Sequence, residues 1–378
     1  MRIALYLKHF PPSGAPLIGG TATAVHGLAS GLVQNGADAI VVCEGEARSS
    51  AIAAGGYRIE CFRNPGRYRS FGVARDLPRY LADRMHEQPG LCLLHGIFHP
   101  ACFALGRALR RHGVPYVANP QDPYDSWMFR RNAHLKWPYW YLFERRHLAQ
   151  ASAIQVLDLK HEAPLRRLGI ATPVIEAPNG VNSAAAPRLD RSRPHAAPSV
   201  VYLGRIDAYN KGLDTLVDAF ARAAALAGRD MSLTLRGPDW GDRAELERRA
   251  AALGLSDRVA FLGPDYARPA PEILAGYDLL CLPSRFEGFG LVALEAMLAG
   301  RVLIVSERAG VARHVVASGC GLSVPPTVEG VASGLLALLE RRDAWDAMGQ
   351  RGRNYVLEQL QWKDVAAGAL AGYARLLH

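Results

Sequence analysis

Several common signals are missing from this sequence of 378 residues, and each absence excludes a class of protein. No two of the six cysteines have C-x-x-C spacing, which argues against a structural zinc site or a redox motif of that type. No apolar run approaches the ~18 residues that a membrane span needs. The first residues are typical of a β-strand, and the apolar core and cleavage site of a signal peptide are not found. We therefore expect a cytoplasmic protein with reduced, buried thiols.

Acidic residues are scarce in the first half only. Residues 1–180 contain 21 Lys and Arg against 13 Asp and Glu, whereas residues 181–378 contain 23 against 22. The basic excess predicts an acidic partner for the first half, but no nucleic-acid-binding motif accompanies it, so nucleic acid is not expected. No two aspartates are two residues apart, so a D-x-D motif is absent. We therefore predict no bound metal ion and no cofactor.

The order of apolar segments predicts an α/β protein with two domains. Short apolar strands alternate with amphipathic helices, which is the pattern of parallel sheets covered on both faces. In the first half we expect strands at 2–7, 38–43, 58–62, 91–95, 114–118 and 153–157, and in the second at 199–203, 231–236, 258–262, 278–282 and 302–305. Residues 183–198 are rich in Pro, Ala, Arg and Ser and read as a linker.

The most informative segment, residues 277–300, is typical of a strand followed by a loop and a helix. Unpaired N–H groups at a helix N-terminus suit a diphosphate, and Gly288 and Gly290 allow the backbone to approach a ligand closely. Glu287 lies in the loop and Glu295 one turn inside the helix, so both carboxylates can flank a ligand at the helix N-terminus. Carboxylates are good acceptors for sugar hydroxyls. A diphosphate joined to two sugars would satisfy all of these groups.

A second cluster, residues 204–212, follows the first strand of the second half. Arg205 and Lys211 bring two cations to the carboxyl end of that strand, the edge at which open α/β sheets bind ligands. Charge-assisted contacts from these cations would stabilise a departing nucleoside diphosphate.

These segments together resemble glycosyltransferase family 4. The resemblance is carried by the E-x7-E spacing from Glu287 to Glu295, by G-R-x(5)-K-G at 204–212, by P-S-x-x-E-G-F-G at 283–290 and by A-P-N-G-V at 177–181. It implies the GT-B fold, in which two doubly wound Rossmann-like domains face a central cleft. It assigns 1–182 with 360–378 to the acceptor-binding domain and 199–359 to the domain that binds the nucleotide sugar. It also implies transfer with retention of configuration, and we expect a pathway of bacterial polysaccharide or glycoconjugate assembly.

The resemblance also assigns roles to individual residues. It implies that Arg205 and Lys211 contact the donor diphosphate, that Glu287 faces the transferred sugar and that Glu295 holds the ribose hydroxyls. The catalytic residues among them are Glu287, Arg205 and Lys211. The resemblance adds further main-chain and loop positions to the donor site: Gly19, Gly20, Gly288, Phe289, Gly290 and Leu291.

The acceptor side departs from the family pattern at one position. Family members often carry a histidine just after the strand at 114–118, where this chain has Gln121 followed by Asp122. A glutamine cannot titrate, so a general base is not expected there. His95 and His99, after the strand at 91–95, are other candidates, although isolated histidines are more often structural.

Two alternatives use the same residues. Gly288-x-Gly290-x-x-Ala293 formally matches a dinucleotide-binding fingerprint, which would predict an NAD-dependent oxidoreductase. Against it, Ser284 to Glu287 separate the glycines from the strand, and the motif lies late in its domain. The other alternative is a catalytically inactive binding protein of the same fold.

Residues 124–147 are rich in aromatic and basic side chains and permit two interpretations. Such a composition suits contact with an anionic membrane surface or a lipid phosphate. It equally suits a helical pair that packs its aromatics into the core and exposes its arginines. The sequence does not decide between them.

Overall fold

The computed structural model describes residues 1–17, 19–66, 71–188, 197–227 and 230–377. The chain divides into two compact units, Met1–Gly180 with Trp362–His378, and Val181–Gln361. The bounds of the first unit, 180 and 362, differ by two residues from the predicted 182 and 360, whereas the second unit begins at 181 and not at the predicted 199. Of the predicted linker 183–198, residues 189–196 lie outside the described residues, and Ser183–Ala185 form a 3₁₀ turn that belongs to the second unit.

The first unit is built on one eight-stranded sheet. Its strands are β1 (Arg2–Tyr6), β2 (Asp38–Gly45), β3 (Ser49–Ile52), β4 (Arg58–Arg63), β5 (Gly90–His95), β6 (Tyr116–Asn119), β7 (Ala153–Val156) and β8 (Val174–Glu176). They lie in the order β3-β4-β2-β1-β5-β6-β7-β8, and only β3 pairs antiparallel. Buried on both faces, β1 and β5 have no exposed residue, which explains their continuous apolar sequence.

Helices flank this sheet. Their bounds are α1 (Gly20–Gln34), α2 (Leu77–Glu87), α3 (Pro100–Arg111), α4 (Ala133–Tyr139), α5 (Arg145–Gln150) and α6 (Glu162–Arg167). A π-helical turn, Trp140–Glu144, joins α4 to α5, and Leu159–His161 form a 3₁₀ turn before α6.

The second unit has a six-stranded parallel sheet. Its strands are β9 (Ser199–Leu203), β10 (Ser232–Arg236), β11 (Val259–Leu262), β12 (Leu279–Leu282), β13 (Val302–Ser306) and β14 (Gly321–Val324). The order β11-β10-β9-β12-β13-β14 is that of a doubly wound Rossmann sheet, 3-2-1-4-5-6 within the unit. Its helices are α7 (Ala208–Lys211), α8 (Leu213–Ala227), α9 (Arg243–Ala252), α10 (Ala270–Leu274), α11 (Leu291–Leu298), α12 (Ala312–Ser318), α13 (Val328–Glu340) and α14 (Trp345–Gln359).

The last helix, α15 (Trp362–Ala374), returns to the first unit and packs on α1. Gly27 and Gly31 make this close packing possible: a Cβ on Gly27 would lie 2.0 Å from the Trp362 ring, and one on Gly31 would lie 2.2 Å from the Trp362 carbonyl oxygen.

Three strands were missed by the sequence patterns, and the strict alternation of strand and helix fails where β2, β3 and β4 follow one another without a helix. Strand β3 is mostly exposed and polar, β8 has only three residues and β14 contains glycine and serine, so none of them forms a long apolar run. All six cysteines are free, and five of them are buried. None of the helices in the described part of the chain is both long and apolar enough to cross a bilayer.

Candidate active site

The topological switch point of the second sheet lies between β9 and β12, which are neighbours in the sheet although not in the sequence. Ligands of open α/β sheets bind outside the carboxyl ends of the strands at such a point. The loops that leave these two strands are residues 204–207 with α7, and residues 283–290. Both sequence clusters that pointed to a phosphorylated sugar therefore lie at one sheet edge.

The loop after β12 leads into α11 through a glycine-lined turn. Gly290 has φ 98°, and a Cβ there would lie 2.8 Å from Leu282 Cδ2, so only glycine fits without strain. The main-chain amides of Phe289, Gly290 and Leu291 donate no hydrogen bond to any main-chain acceptor in the described residues. Unpaired amides at the N-terminus of a helix form a ready site for an anion.

Lys211 and Glu287, one from each loop, form an ion pair. The distance from Lys211 Nζ to Glu287 Oε2 is 2.7 Å, and the Ser284 hydroxyl donates to the same oxygen at 3.2 Å. Lys211 is the last residue of α7, and Asp207 caps the start of this helix, because its carboxylate accepts a hydrogen bond from the Asn210 amide. The structure therefore brings together one charged residue from each of the two sequence clusters.

Tyr202, at the carboxyl end of β9, lies beneath this edge. Its hydroxyl donates to the Arg205 carbonyl oxygen at 2.8 Å. Burial, and then the negative charge of Glu287, raise the pKa of Tyr202 well above its usual value. The tyrosine is therefore a neutral hydrogen-bond donor that fixes the turn carrying Arg205.

Arg205 is exposed, and its side chain lies on an aromatic ring. The guanidinium carbon is 4.3 Å from the centroid of Trp240, which is 60% exposed. Such stacking is a cation–π contact. Arg205 thus shares the sheet edge with Lys211, but its guanidinium packs on Trp240 and makes no ion pair with Glu287 in the described residues.

Glu295 lies on α11 and is half-buried. Burial raises the pKa of its carboxyl to about 7, and no hydrogen bond or ion pair reaches it from the described residues. Burying a carboxylate without a donor is costly. The carboxyl is therefore set up to accept hydrogen bonds from something other than the protein, and sugar hydroxyls are suitable donors.

The remaining predicted donor residues, Gly19 and Gly20, lie in the first unit. Gly19 has φ 94° and precedes α1, which begins at Gly20. A Cβ on Gly19 would meet no atom within 4 Å. The conformation, and not a close contact, thus explains glycine at position 19.

The predicted acceptor-side residues lie at the switch point of the first sheet, between β1 and β5, and at the end of the adjacent β6. His95 ends β5 and is buried; burial lowers the pKa of its imidazole to about 3, and its Nε2 has no partner in the described residues. Gln121 Nε2 lies 3.4 Å from His95 Nδ1 and donates to Asn119 Oδ1 at 3.0 Å. Gln121 has a positive φ of 67°, and Asp122 follows it. Strained residues of this kind cluster at functional sites.

His99 lies just before α3. Burial, together with the charge of Lys8, lowers the pKa of its imidazole to about 4, so it is neutral near pH 7. Its role in the acceptor side stays a prediction.

The aromatic segment 124–147 is partly buried and partly exposed. Tyr124, Phe129 and Trp140 are buried against one another. Other apolar side chains of the segment are exposed, among them Tyr141 at 65% and Leu142 at 64%. Part of the segment is therefore core, and part is an apolar surface.

No metal site was found in the described residues, where no group of three or more His, Cys, Asp or Glu side chains could hold an ion. That the protein needs no metal stays a prediction.

Sequence reasoning missed three contributors to this edge: Tyr202, Trp240 and Arg285. Tyr202 looks like an ordinary strand residue, and its hydroxyl contact depends on the turn after β9. Trp240 was recognisable only as an aromatic after β10, since its contact with Arg205 joins two loops. Arg285 occupies a position that the P-S-x-x-E-G-F-G pattern leaves free.

Comparison with known proteins gives the chain a family context. A family model described as Glycosyl transferase 4-like domain matches residues 19–180, and one described as Glycosyl transferases group 1 matches residues 190–355. Together the two matches span most of the chain. They support the glycosyltransferase interpretation and not the oxidoreductase alternative, and the glycines at 288 and 290 indeed do not directly follow β12.

The individual relatives share about a third of their residues with this chain over the aligned part. The chain is 33% identical over 202 residues to the D-inositol 3-phosphate glycosyltransferase of Nocardia farcinica, covering 51% of this chain and 44% of that protein. It is 31% identical over 232 residues to the phosphatidyl-myo-inositol mannosyltransferase of Mycobacterium tuberculosis, covering 58% of each. The chain thus spans about half the length of these relatives. The solved sucrose-phosphate synthase of Thermosynechococcus elongatus aligns with a TM-score of 0.79 at 22% identity, covering 99% of this chain and 98% of that one.

Proposed function

We infer the function of this chain from the premise that it belongs to glycosyltransferase family 4 and has the GT-B fold. The proposal is that it transfers a sugar from a nucleoside-diphosphate sugar, of the UDP or GDP type, to a hydroxyl group of a glycan or lipid-linked acceptor. The second unit binds the donor and the first binds the acceptor. Transfer retains the anomeric configuration and needs no metal ion.

One observation carries the donor assignment. The Lys211–Glu287 pair lies at the switch point of the second sheet, beside the unpaired amides of residues 289–291. A cation and a helix N-terminus suit the diphosphate, and a carboxylate suits the hydroxyls of the sugar. Glu295, one turn into α11, supplies carboxylate oxygens that accept hydrogen bonds from the ribose hydroxyls.

The same groups account for catalysis. When the bond between the sugar and the diphosphate breaks, negative charge accumulates on the leaving oxygen, and Lys211 with the α11 amides stabilises it. Arg205 adds a second cation at this edge. The Glu287 carboxylate faces the positive charge that develops on the sugar. In the free protein Lys211 and Glu287 neutralise each other, so donor binding exchanges part of their ion pair for contacts with the ligand.

The proposal is tested by incubating the protein with UDP- and GDP-sugars and a panel of hydroxyl acceptors, with and without EDTA. We expect release of nucleoside diphosphate coupled to a glycoside whose anomeric configuration, measured by NMR, is that of the donor, with equal rates in EDTA. An inverted product would contradict retention, and loss of activity in EDTA that Mg²⁺ or Mn²⁺ restores would contradict metal independence. Tight donor binding without transfer to any acceptor would instead support the inactive binding protein.

A membrane-bound acceptor fits the surface of the first unit. Between Asp125 and Asp158 the sequence has one acidic residue, Glu144, and it is buried. The exposed large apolar and cationic side chains of this stretch are Leu135, Trp137, Tyr141, Leu142, Arg130, Arg131, Arg145 and Arg146. Apolar and basic side chains without exposed acids suit the surface of an anionic bilayer. We therefore include peripheral contact with the inner face of the plasma membrane in the proposal.

The biological setting follows from these parts. Six free cysteines suit a reducing compartment, so the proposed location is the cytoplasm. One relative is named for a phosphatidylinositol acceptor, which is a lipid. Assembly of a bacterial polysaccharide or glycoconjugate on a lipid carrier is the proposed setting.

A further inference from the structure

Arg285 joins two loops of the candidate donor site, although the motif pattern assigns it no role. It lies two residues before Glu287, and its side chain is 20% exposed. One guanidinium nitrogen donates to the Ala208 carbonyl oxygen at 3.0 Å. Another donates to Asp214 Oδ2 at 2.7 Å and to Thr215 Oγ1 at 2.6 Å. The side chain therefore reaches from the loop after β12 to both ends of the 208–215 segment.

Main-chain contacts join the same two loops. The amides of Arg285 and Phe286 both donate to the Asn210 carbonyl oxygen, at 2.8 and 3.1 Å. Behind them Gly212 has φ 65°, and a Cβ there would lie 2.4 Å from the Pro283 carbonyl oxygen. The turn that carries Lys211 is thus packed directly against the loop that carries Glu287.

The Lys211–Glu287 ion pair alone would not hold these two loops together once a donor binds. In the free protein the 2.7 Å contact of Lys211 with Glu287 also holds the two loops together. A bound diphosphate competes for the lysine, and this tie then weakens. The Arg285 contacts involve neither of the two charges, so they persist. A planar guanidinium with several donors in fixed directions suits this purpose better than a flexible ammonium.

We propose that Arg285 is a positioning residue that fixes the separation of Lys211 and Glu287 while the sugar donor is bound. The inference rests on the proposed function, because it concerns the geometry of that same site. The side chain of Arg285 contacts Ala208, Asp214 and Thr215, and the proposal gives it no contact with the sugar or the diphosphate. Its loss should therefore reduce kcat more than it reduces the affinity for the nucleotide.

The test compares Arg285→Ala and Arg285→Lys with Arg222→Ala, which removes an exposed ion pair between α8 and Glu329 of α13 and leaves the loops intact. With activity expressed per folded protein, we expect Arg285→Ala to lower kcat at least ~10-fold, Arg285→Lys to be intermediate and Arg222→Ala to match the wild type. Added guanidinium should restore part of the activity of Arg285→Ala and none of Lys211→Ala. A wild-type kcat in Arg285→Ala would overturn the proposal. So would a loss of activity that is explained by the unfolded fraction alone and is not restored by guanidinium.

A second readout does not depend on activity. Lys211 is largely shielded, with 13% of its side chain exposed, and reductive methylation followed by peptide mapping measures its accessibility. We expect faster methylation of Lys211 in both Arg285 variants than in the wild type and in Arg222→Ala. Equal rates would overturn the positioning role. If the wild type transfers no sugar but these rates differ, the proposed function fails and the positioning role stands.

Discussion

At the scale of single residues, the members of the Lys211–Glu287 pair should have separable effects. Removing the charge of Glu287 takes away the group that faces the developing positive charge, but it frees Lys211 for the diphosphate. We therefore expect Glu287→Gln to lose at least ~2 kcal/mol of transition-state stabilisation, measured as kcat/KM, while its affinity for the nucleoside diphosphate is kept or raised. Wild-type turnover in a folded Glu287→Gln would show that the role assigned to this residue is wrong.

Replacing Glu295 should raise the stability of the protein but weaken its binding of the nucleotide. Its folded pKa of about 7 lies above the ordinary value of 4.5, so the folded state holds more protons than the unfolded state between these values. Ionisation of Glu295 therefore lowers the free energy of unfolding as the pH rises from 4.5 through 7, and this destabilisation reaches its full size above pH 7. Glu295→Gln removes this cost, so we expect it to be about 1–3 kcal/mol more stable than wild type at pH 8, with little difference at pH 4.5.

Urea unfolding at the two pH values measures this difference, with Glu340→Gln, at an exposed position of α13, as the control. The same Glu295 variant should bind the nucleotide more weakly, because it loses the acceptor for the ribose hydroxyls. Equal stability at pH 8 would contradict the burial cost. Unchanged nucleotide affinity would contradict the contact with the ribose.

At the scale of elements, the junction of α7 and α8 should tolerate no side chain at position 212. Gly212 and Gly254 both have positive φ, 65° and 71°, but only Gly212 would place a Cβ against another atom, 2.4 Å from the Pro283 carbonyl oxygen. Alanine at position 254 costs only the backbone strain, roughly 1 kcal/mol, whereas at 212 it also pushes the two loops apart. We expect Gly212→Ala to lower both stability and nucleotide affinity, and Gly254→Ala to lower stability alone.

Thermal unfolding with and without nucleotide measures both effects. If the two alanine variants shift the Tm equally and bind equally well, the close packing of these loops is not required for the site.

The helical segment from α4 to α5 makes a separate prediction. Because Tyr141 and Leu142 are exposed among arginines, replacing both with serine should weaken binding to vesicles that contain phosphatidylglycerol. Flotation at low salt measures the bound fraction. Leu226→Ser, which removes an equally exposed leucine from α8 in the second unit, is the control and should float like the wild type. No flotation of the wild type would favour a segment that only packs its aromatics.

The sequence predicted these elements unevenly, and for physical reasons. Buried parallel strands such as β1, β5 and β13 have continuous apolar sequences and were found within one or two residues. Strand β3 exists because it pairs with β4, and its own residues do not indicate it. The π turn between α4 and α5 was also missed, because nothing in its composition separates it from the adjoining helices. Local patterns cannot show structure that depends on a distant partner.

The candidate site follows the same rule. Motif spacing brought forward Glu287, Glu295 and Lys211, because each lies at a fixed distance from a strand end or a helix start. It could not show that Arg205 stacks on Trp240, or that Arg285 bridges two loops, because those contacts join segments distant in sequence.

At the scale of the whole molecule, the chain combines two doubly wound units, each of which places polar side chains at its own switch point. The second unit provides a cation, a carboxylate and free amides within one sheet edge, and the first provides His95 and Gln121 at the ends of adjacent strands. This division predicts that variants in the two units affect different substrates. Those at Lys211 and Glu295 should change the interaction with the nucleotide, and those at His95 or Gln121 should change the KM for the acceptor.

Calorimetric titration of UDP and GDP into the wild type, Lys211→Ala and Arg222→Ala tests the central claim most directly. Losing one charge-assisted contact to the diphosphate should weaken the preferred nucleotide at least ~10-fold in Lys211→Ala. The wild type and Arg222→Ala should bind it equally, because Arg222 lies on the exposed side of α8. Equal affinity in all three proteins, or no binding of either nucleotide to the wild type, would contradict a donor site at this sheet edge.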